Sequence, residues 1–181
     1  FMVNTIVTTE LINKIAEGFG VPCYNVLTGF KNIASIILQK EGKETFIAGG
    51  EESFGFLVGD FVRDKDGVSA CALVAEAVAY YKTQGKTVFA VLAEVYQRFG
   101  FYKEALISVT KKGKDGAEQI QQLMQQYRTN PPQEMNGSAV EMIYDVKNAR
   151  ISYPKTQKVE VLNLDKSNVM QFYLADGSKI S

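Results

Sequence analysis

Glu51, Glu52 and Ser53 follow directly on Gly49 and Gly50, and the same stretch continues through Gly55 to Arg63, Asp64, Lys65, Asp66 and Gly67. Successive side chains of an extended backbone point to opposite faces, so Glu51 and Ser53 share one side and Glu52 faces the other. A carboxylate beside a hydroxyl suits a ligand rich in hydroxyl groups, because the carboxylate accepts two such hydrogen bonds and the hydroxyl donates or accepts. The same residues also read as a capping turn with solvated acids. An acid–base dyad is not expected of Glu51 and Glu52, which diverge as chain neighbours; Glu52 is expected to brace the loop. Asp64 and Asp66 alternate as metal ligands can, but without a third ligand they read as a helix cap, with Asp66 the N-cap. Arg63 and Lys65 either contact substrate or pair with these acids.

Upstream, Thr28-Gly29-Phe30-Lys31 opens an expected helix and puts Lys31 in its first turn, where the macrodipole disfavours a cation. An anion such as a phosphate docked between Lys31 and the helix N-terminus would account for that placement; so would a solvated surface lysine. The chain has no histidine, which removes Ser-His and Cys-His nucleophile pairs and His-ligated metal sites. Carboxylates, lysines, hydroxyls and backbone amides must therefore carry the chemistry.

At 181 residues, 46% of them hydrophobic and 22% charged, the chain can form one large domain or one domain and part of another. Twenty basic and twenty acidic residues cancel without a basic block, which argues against nucleic acid or an anionic membrane as partner. No apolar run reaches the roughly 18–20 residues of a spanning helix, and no secretory signal is present. Cys23 and Cys71 lie far apart in apolar runs; they are expected to be buried free thiols of a reducing compartment, consistent with a cytoplasmic protein and without metal-ligand spacing.

The elements that must position these residues alternate over residues 1–100. Strands are expected at 3–8, 22–27 and 45–48, the last ending at Gly49-Gly50. Helices are expected after Thr8 or Thr9, from Thr28, over 68–84 with apolar residues on most sides and hence largely buried, and over 87–99. Three strands linked by such helices imply a three-layer α/β/α domain with a mainly parallel sheet. Its site loops, Thr8-Thr9, residues 28–31 and residues 49–55, then share the rim at the carboxyl ends of the strands. The pattern changes after residue 100: a strand at 102–110, a helix at 115–128 with Ile120, Leu123, Met124 and Tyr127 inward, and strands at 140–145, 159–162 and 169–174, the last running into an Asp176-Gly177 hairpin turn. Residues 101–181 thus read as a partial α+β domain with an antiparallel sheet, and the chain as cut at both ends from something longer. An open sheet edge in residues 140–181 invites self-association. The Met residues and Tyr80-Tyr81 are assigned to core.

Three segments carry a resemblance: Thr28-Gly29-Phe30-Lys31, Gly50-Glu51-Glu52-Ser53-Phe54-Gly55, and Val62-Arg63-Asp64-Lys65-Asp66-Gly67. Together they resemble the third domain of the α-D-phosphohexomutases, in the phosphoglucomutase and phosphomannomutase branch, and residues 167–181 resemble the start of that family's fourth domain. The resemblance implies that Glu51 and Ser53 bind vicinal sugar hydroxyls, that Lys31 approaches the sugar phosphate or its hydroxyls, and that Gly29 and Gly50 complete the substrate-binding set. Glu52, Arg63, Lys65 and Asp66 support or cap. It also implies a hexose phosphate substrate, Mg²⁺ in the whole protein, and glucose 1,6-bisphosphate as intermediate. The family's phosphoserine loop, its Asp-Gly-Asp metal loop and its Arg-Pro-Ser-Gly-Thr phosphate loop are absent from this chain. No catalytic residue and no metal ligand is therefore expected here, the remaining domains become partners, and the piece alone is expected not to turn over. A phosphomannomutase and a non-catalytic module binding a phosphorylated metabolite are the rival readings.

Overall fold

A strand needs a partner ladder and a helix needs an apolar face, and both requirements decide this architecture. The computed structural model describes residues 1–181 and divides into two compact units, Phe1–Ala105 and Leu106–Ser181.

In the first unit, β1 (Met2–Thr5), β2 (Cys23–Val26) and β3 (Ala48–Gly50) form a parallel core, with β4 (Phe56–Val58) antiparallel on β3, in the order β2-β1-β3-β4. Helix α1 (Leu11–Gly18) joins β1 to β2 and α2 (Phe30–Lys40) joins β2 to β3. Phe30, Ile33 and Ile37 recur at helical spacing on α2 and are buried with Phe1, Val3, Val26, Phe46 and Leu57 in one core. The largely parallel, layered α/β arrangement expected from the sequence is present. Two details differ. Gly49 and Gly50 do not end the third strand but belong to it: an added Cβ at Gly49 would stand 2.9 Å from the Val3 carbonyl oxygen and 3.1 Å from Ile33 Cγ2, so the close approach of β3 to β1 requires glycine. Strand β4 was not expected, because three residues carry too little pattern to read.

Helix α3 (Gly67–Thr83) begins at Asp66, whose carboxylate accepts the N–H groups of Val68 and Ser69, both at 3.1 Å. The hydroxyl and N–H of Ser69, then the N–H of Val68, hold the Asp66 carboxyl below its ordinary 3.8. A depressed carboxylate stabilises the folded state above its unfolded pKa and ceases to do so as pH falls through the folded value. Asp66→Ala is therefore expected to lower the thermal midpoint at neutral pH, and the gap to the native chain should close as pH falls below 3.8. A gap that persists in strong acid would show that the cap is not its source.

The expected burial of α3 is not found. None of its 17 residues is buried, and Val68, Val74 and Tyr80 are 81%, 62% and 60% exposed. It packs on β4 and on α4 (Val88–Phe99), and these contacts leave none of its residues buried, so much of its apolar composition stays exposed. Tyr80 and Tyr81 pair edge to face at 5.2 Å but are not core. Helix α4 is capped by the Thr87 hydroxyl, which accepts from Ala90 N–H at 3.2 Å, and it meets α1, where Gly18 leaves room for the Phe99 ring. The thiols are free, but Cys23 is half-buried and Cys71 exposed, the latter because it rides on α3. Burial pushes the Cys23 thiol up.

The strand expected at 102–110 is absent: residues 101–112 have no regular secondary structure, and Leu106, Ile107 and Val109 are exposed. The segment has no neighbouring strand, and extended chain without a ladder is not a strand. In the second unit α5 (Gly113–Thr129) packs against an antiparallel sheet of order β10-β9-β6-β7-β8, formed by β6 (Ser138–Asp145), β7 (Arg150–Tyr153), β8 (Lys158–Val161), β9 (Met170–Leu174) and β10 (Lys179–Ile180). The short β5 (Glu134–Met135) pairs with β6. Met124 and Tyr127 of α5 lie on the core of Val140, Ile143, Met170, Phe172 and Leu174. Ile120 and Leu123, expected inward, are 40% and 51% exposed because the packed stripe is narrower than the apolar one. The Asp176-Gly177 turn joins β9 to β10, with Asp176 Oδ1 accepting Ser178 N–H at 2.8 Å. Strand β7 was missed; its four residues mix polar and apolar types.

Candidate functional site

Glycine geometry and two carboxylates assemble the rim at the carboxyl ends of β1, β2 and β3. Gly29 caps α2 with φ 105° and ψ 120°, a conformation open to glycine and strained for L side chains. Its N–H is thereby turned outward, and it donates to Glu51 Oε1 at 2.7 Å. One bond thus ties the loop after β2 to the loop after β3. The second loop closes on itself: Glu51 N–H donates to the Gly55 carbonyl at 2.8 Å. Gly55 is buried, and an added Cβ there would stand 2.8 Å from Glu51 Oε2 and 3.2 Å from Lys65 Cδ. An added Cβ at Gly50 would crowd the Gly55 carbonyl oxygen at 3.2 Å. Glycine at 55 is what lets a half-buried carboxylate and a lysine stem lie against the backbone, and glycine at 50 leaves room for the loop to close.

Glu52 points the other way. Its Oε2 accepts the Thr5 hydroxyl at 2.8 Å and the Thr8 hydroxyl at 3.3 Å, and the two hydroxyls lie 2.7 Å apart. This carboxylate braces the loop against the end of β1. The neighbouring Asn4 is fully buried; its amide donates weakly to the Thr9 carbonyl at 3.4 Å and its Oδ1 has no hydrogen-bond partner. Thr5 and Thr8 were not singled out as partners of Glu52. The signal for them was a polar Asn-Thr pair inside a buried strand, where each polar group needs a partner.

Among the residues expected at the site, Gly29, Gly50 and Glu51 lie on one rim. Lys31 is exposed in the first turn of α2, its Cγ 3.9 Å from the position of a Gly29 Cβ. Ser53 is exposed at the tip of the 51–55 loop. Lys65 reaches in as well: its stem lies beside Gly55 and its ammonium is 5.9 Å from the Phe30 ring centroid, while also pairing with Asp64 at 3.2 Å. The backbone N–H of Lys65 and its ammonium hold the Asp64 carboxyl below its ordinary range. Arg63 is not part of this assembly. Its guanidinium donates to Glu41, the C-cap of α2, at 2.8 Å and to the Asp60 carbonyl. Eleven helical residues separate that end of α2 from Gly29, about 16 Å at the usual rise. Asp66 is engaged in capping α3.

The rim thus offers a half-buried carboxylate with one oxygen anchored by the Gly29 N–H, a hydroxyl, two ammonium groups and a helix N-terminus. That set suits a polyhydroxylated, anionic ligand. No group of three or more His, Cys, Asp or Glu side chains is arranged to hold a metal ion, so these side chains form no all-protein cage for Mg²⁺. No helix is long and apolar enough to cross a membrane.

Known proteins resemble this chain in sequence and in fold. Residues 1–99 match the family model described as phosphoglucomutase/phosphomannomutase, alpha/beta/alpha domain III. The chain is similar to the phosphoglucomutases of Staphylococcus aureus strains N315 and MSSA476, each 36% identical over 176 residues, covering 97% of this chain and 32% of the relative. It therefore spans about a third of the length of these relatives, at 32%. Its backbone is similar to the open form of the exocytosis-sensitive phosphoprotein pp63/parafusin, a phosphoglucomutase from Paramecium. The TM-score is 0.58 at 21% identity, covering 98% of this chain and 29% of that one; at that identity the likeness concerns the fold. With the domain match spanning the unit that carries the Gly29–Glu51 rim, the chain belongs to the phosphoglucomutase/phosphomannomutase family.

Proposed function

We propose that the whole protein is an α-phosphoglucomutase of the cytoplasm that interconverts glucose 1-phosphate and glucose 6-phosphate through a phosphoserine and glucose 1,6-bisphosphate, and that these residues supply its sugar-recognition rim. The observation that carries the reading is Glu51. Its carboxylate is fixed by the Gly29 N–H on one oxygen and lies beside Gly55 on the other, at the strand ends where Lys31 and Lys65 also stand. The names of the Staphylococcus aureus relatives favour glucose over mannose.

Moving a phosphoryl group between O1 and O6 requires the hexose to be held in two opposite orientations. A carboxylate and a hydroxyl that grip vicinal sugar hydroxyls tolerate that reversal, because they read neither phosphate. The contribution of these residues is then orientation, which lowers the barrier by holding reactants in place. The phosphoryl carrier and Mg²⁺ are assigned to other parts of the protein. The test is an assay of both forms. The whole protein is expected to convert glucose 1-phosphate in the presence of Mg²⁺, and the 181-residue chain alone is expected not to. Turnover by the short chain would overturn its role as a recognition piece, and a whole protein that prefers mannose 1-phosphate would overturn the choice of sugar.

A further inference from the structure

We propose that Phe54 is a substrate-contacting residue whose ring packs on the C–H face of the hexose held by Glu51 and Ser53; the inference rests on the sugar-binding reading of this rim. Phe54 is 99% exposed and has φ 65°. The turn between β3 and β4 demands a left-handed residue there, a conformation that glycine or asparagine adopts at least cost. The turn between β5 and β6 meets the same demand with Asn136, at φ 50°. A phenylalanine at position 54 goes against this local preference, and its exposed ring adds nothing to the core. Residues that break a local rule without a gain inside the fold cluster where the chain meets a ligand.

The backbone that carries the ring is also tied down. Three ties fix the five-residue turn: Glu51 N–H to Gly55 O, Gly29 N–H to Glu51, and the Thr5 and Thr8 hydroxyls to Glu52. The Phe54 backbone is therefore anchored on both sides, while its ring is left free to meet a ligand. The faces of a pyranose alternate hydroxyls with C–H groups, and the negative face of an aromatic ring attracts polarised C–H groups. A rim that grips hydroxyls with Glu51 and Ser53 gains a surface for the remaining C–H face from this ring. Polar groups that orient and an apolar wall that packs form the usual division of labour in a ligand site.

The experiment uses the whole protein with Phe54→Asn, Phe54→Gly and Phe54→Tyr, and Glu51→Gln as reference. Asparagine accepts the left-handed backbone without a ring, so it isolates the ring from turn strain. KM for glucose 1-phosphate is expected to rise about tenfold in the Asn and Gly variants, the loss of one aromatic contact, and to return in the Tyr variant. Thermal midpoints should not fall, and the inhibition constant of inorganic phosphate, which has no C–H face, should not move. An unchanged KM in the Asn and Gly variants overturns the inference. So does a parallel shift in phosphate inhibition, which would assign the ring to the site as a whole or to a protein contact. If Glu51→Gln is crippled while Phe54→Asn is silent, only the Phe54 inference falls. If Glu51→Gln is also silent, the sugar-binding reading falls with it.

Discussion

Glu51→Gln in the whole protein is expected to lower kcat/KM for glucose 1-phosphate by about 10- to 150-fold, the equivalent of about 1.5–3 kcal/mol for a hydrogen bond to a charged group. The amide keeps an oxygen that can accept the Gly29 N–H, now 2.7 Å from Oε1, so the two loops stay joined while the charge is lost. Glu51→Ala removes the tie as well, leaves the Gly29 N–H without its partner, and should cost more. On the proposed function, serine phosphorylation by glucose 1,6-bisphosphate serves as the control, since these residues would then orient the sugar without carrying the phosphoryl group. Steady-state kinetics beside phosphoserine labelling make the measurement. A Gln variant with native efficiency would remove Glu51 from substrate binding.

The second large effect lies in the Leu106–Ser181 unit, where Arg128→Ala is expected to cost about 3–5 kcal/mol, the range for breaking a buried pair. The Arg128 and Asp145 side chains are only 5% and 12% exposed, with Nε donating to Oδ1 at 3.1 Å. Nη2 of Arg128 donates to Asn168 Oδ1 at 2.7 Å, and Asn148 donates to Asp145 Oδ2. One guanidinium thus pins α5 to the end of β6 and to the segment that leads into β9. Truncation leaves Asp145 with a single amide for compensation, against a total stability of about 5–15 kcal/mol for an ordinary domain. Arg128→Lys keeps the charge but not the fork, and should fall between the two. Urea melts followed by circular dichroism read the difference; a loss below about 1 kcal/mol for Arg128→Ala would place this pair with weak surface bridges.

What could be read from the sequence was local. The Asp66 cap, the Asp176-Gly177 hairpin, the helical spacing of Phe30, Ile33 and Ile37, and the Gly50–Gly55 loop each depend on residues close in the chain, and each is found. What could not be read depends on neighbours distant in sequence. Residues 102–110 have strand-forming types, but no second strand is beside them. Helix α3 has a buried helix's composition, but burial is decided by what lies opposite. The rim shows the same division: Glu51 and Glu52 do have separate partners, but residues 52–54 form a turn and not the extended backbone from which alternation was expected. That Glu51 is anchored by the Gly29 N–H follows from the pairing of β1 with both β2 and β3 and from a glycine dihedral. Arg63 was left between substrate and adjacent acids, and its actual partner, Glu41, is 22 positions away.

The bare surface of α3 has a consequence for how mutational data on this chain should be interpreted. Ile33 and Leu57 answer to neighbours within the unit, so truncating them opens a cavity, whereas Val74 and Val78 leave no void when shortened. Tolerance to substitution along α3 is therefore no sign that its apolar residues are dispensable. Shortening them is expected to leave the thermal midpoint of this chain nearly unchanged, whatever these side chains meet in function.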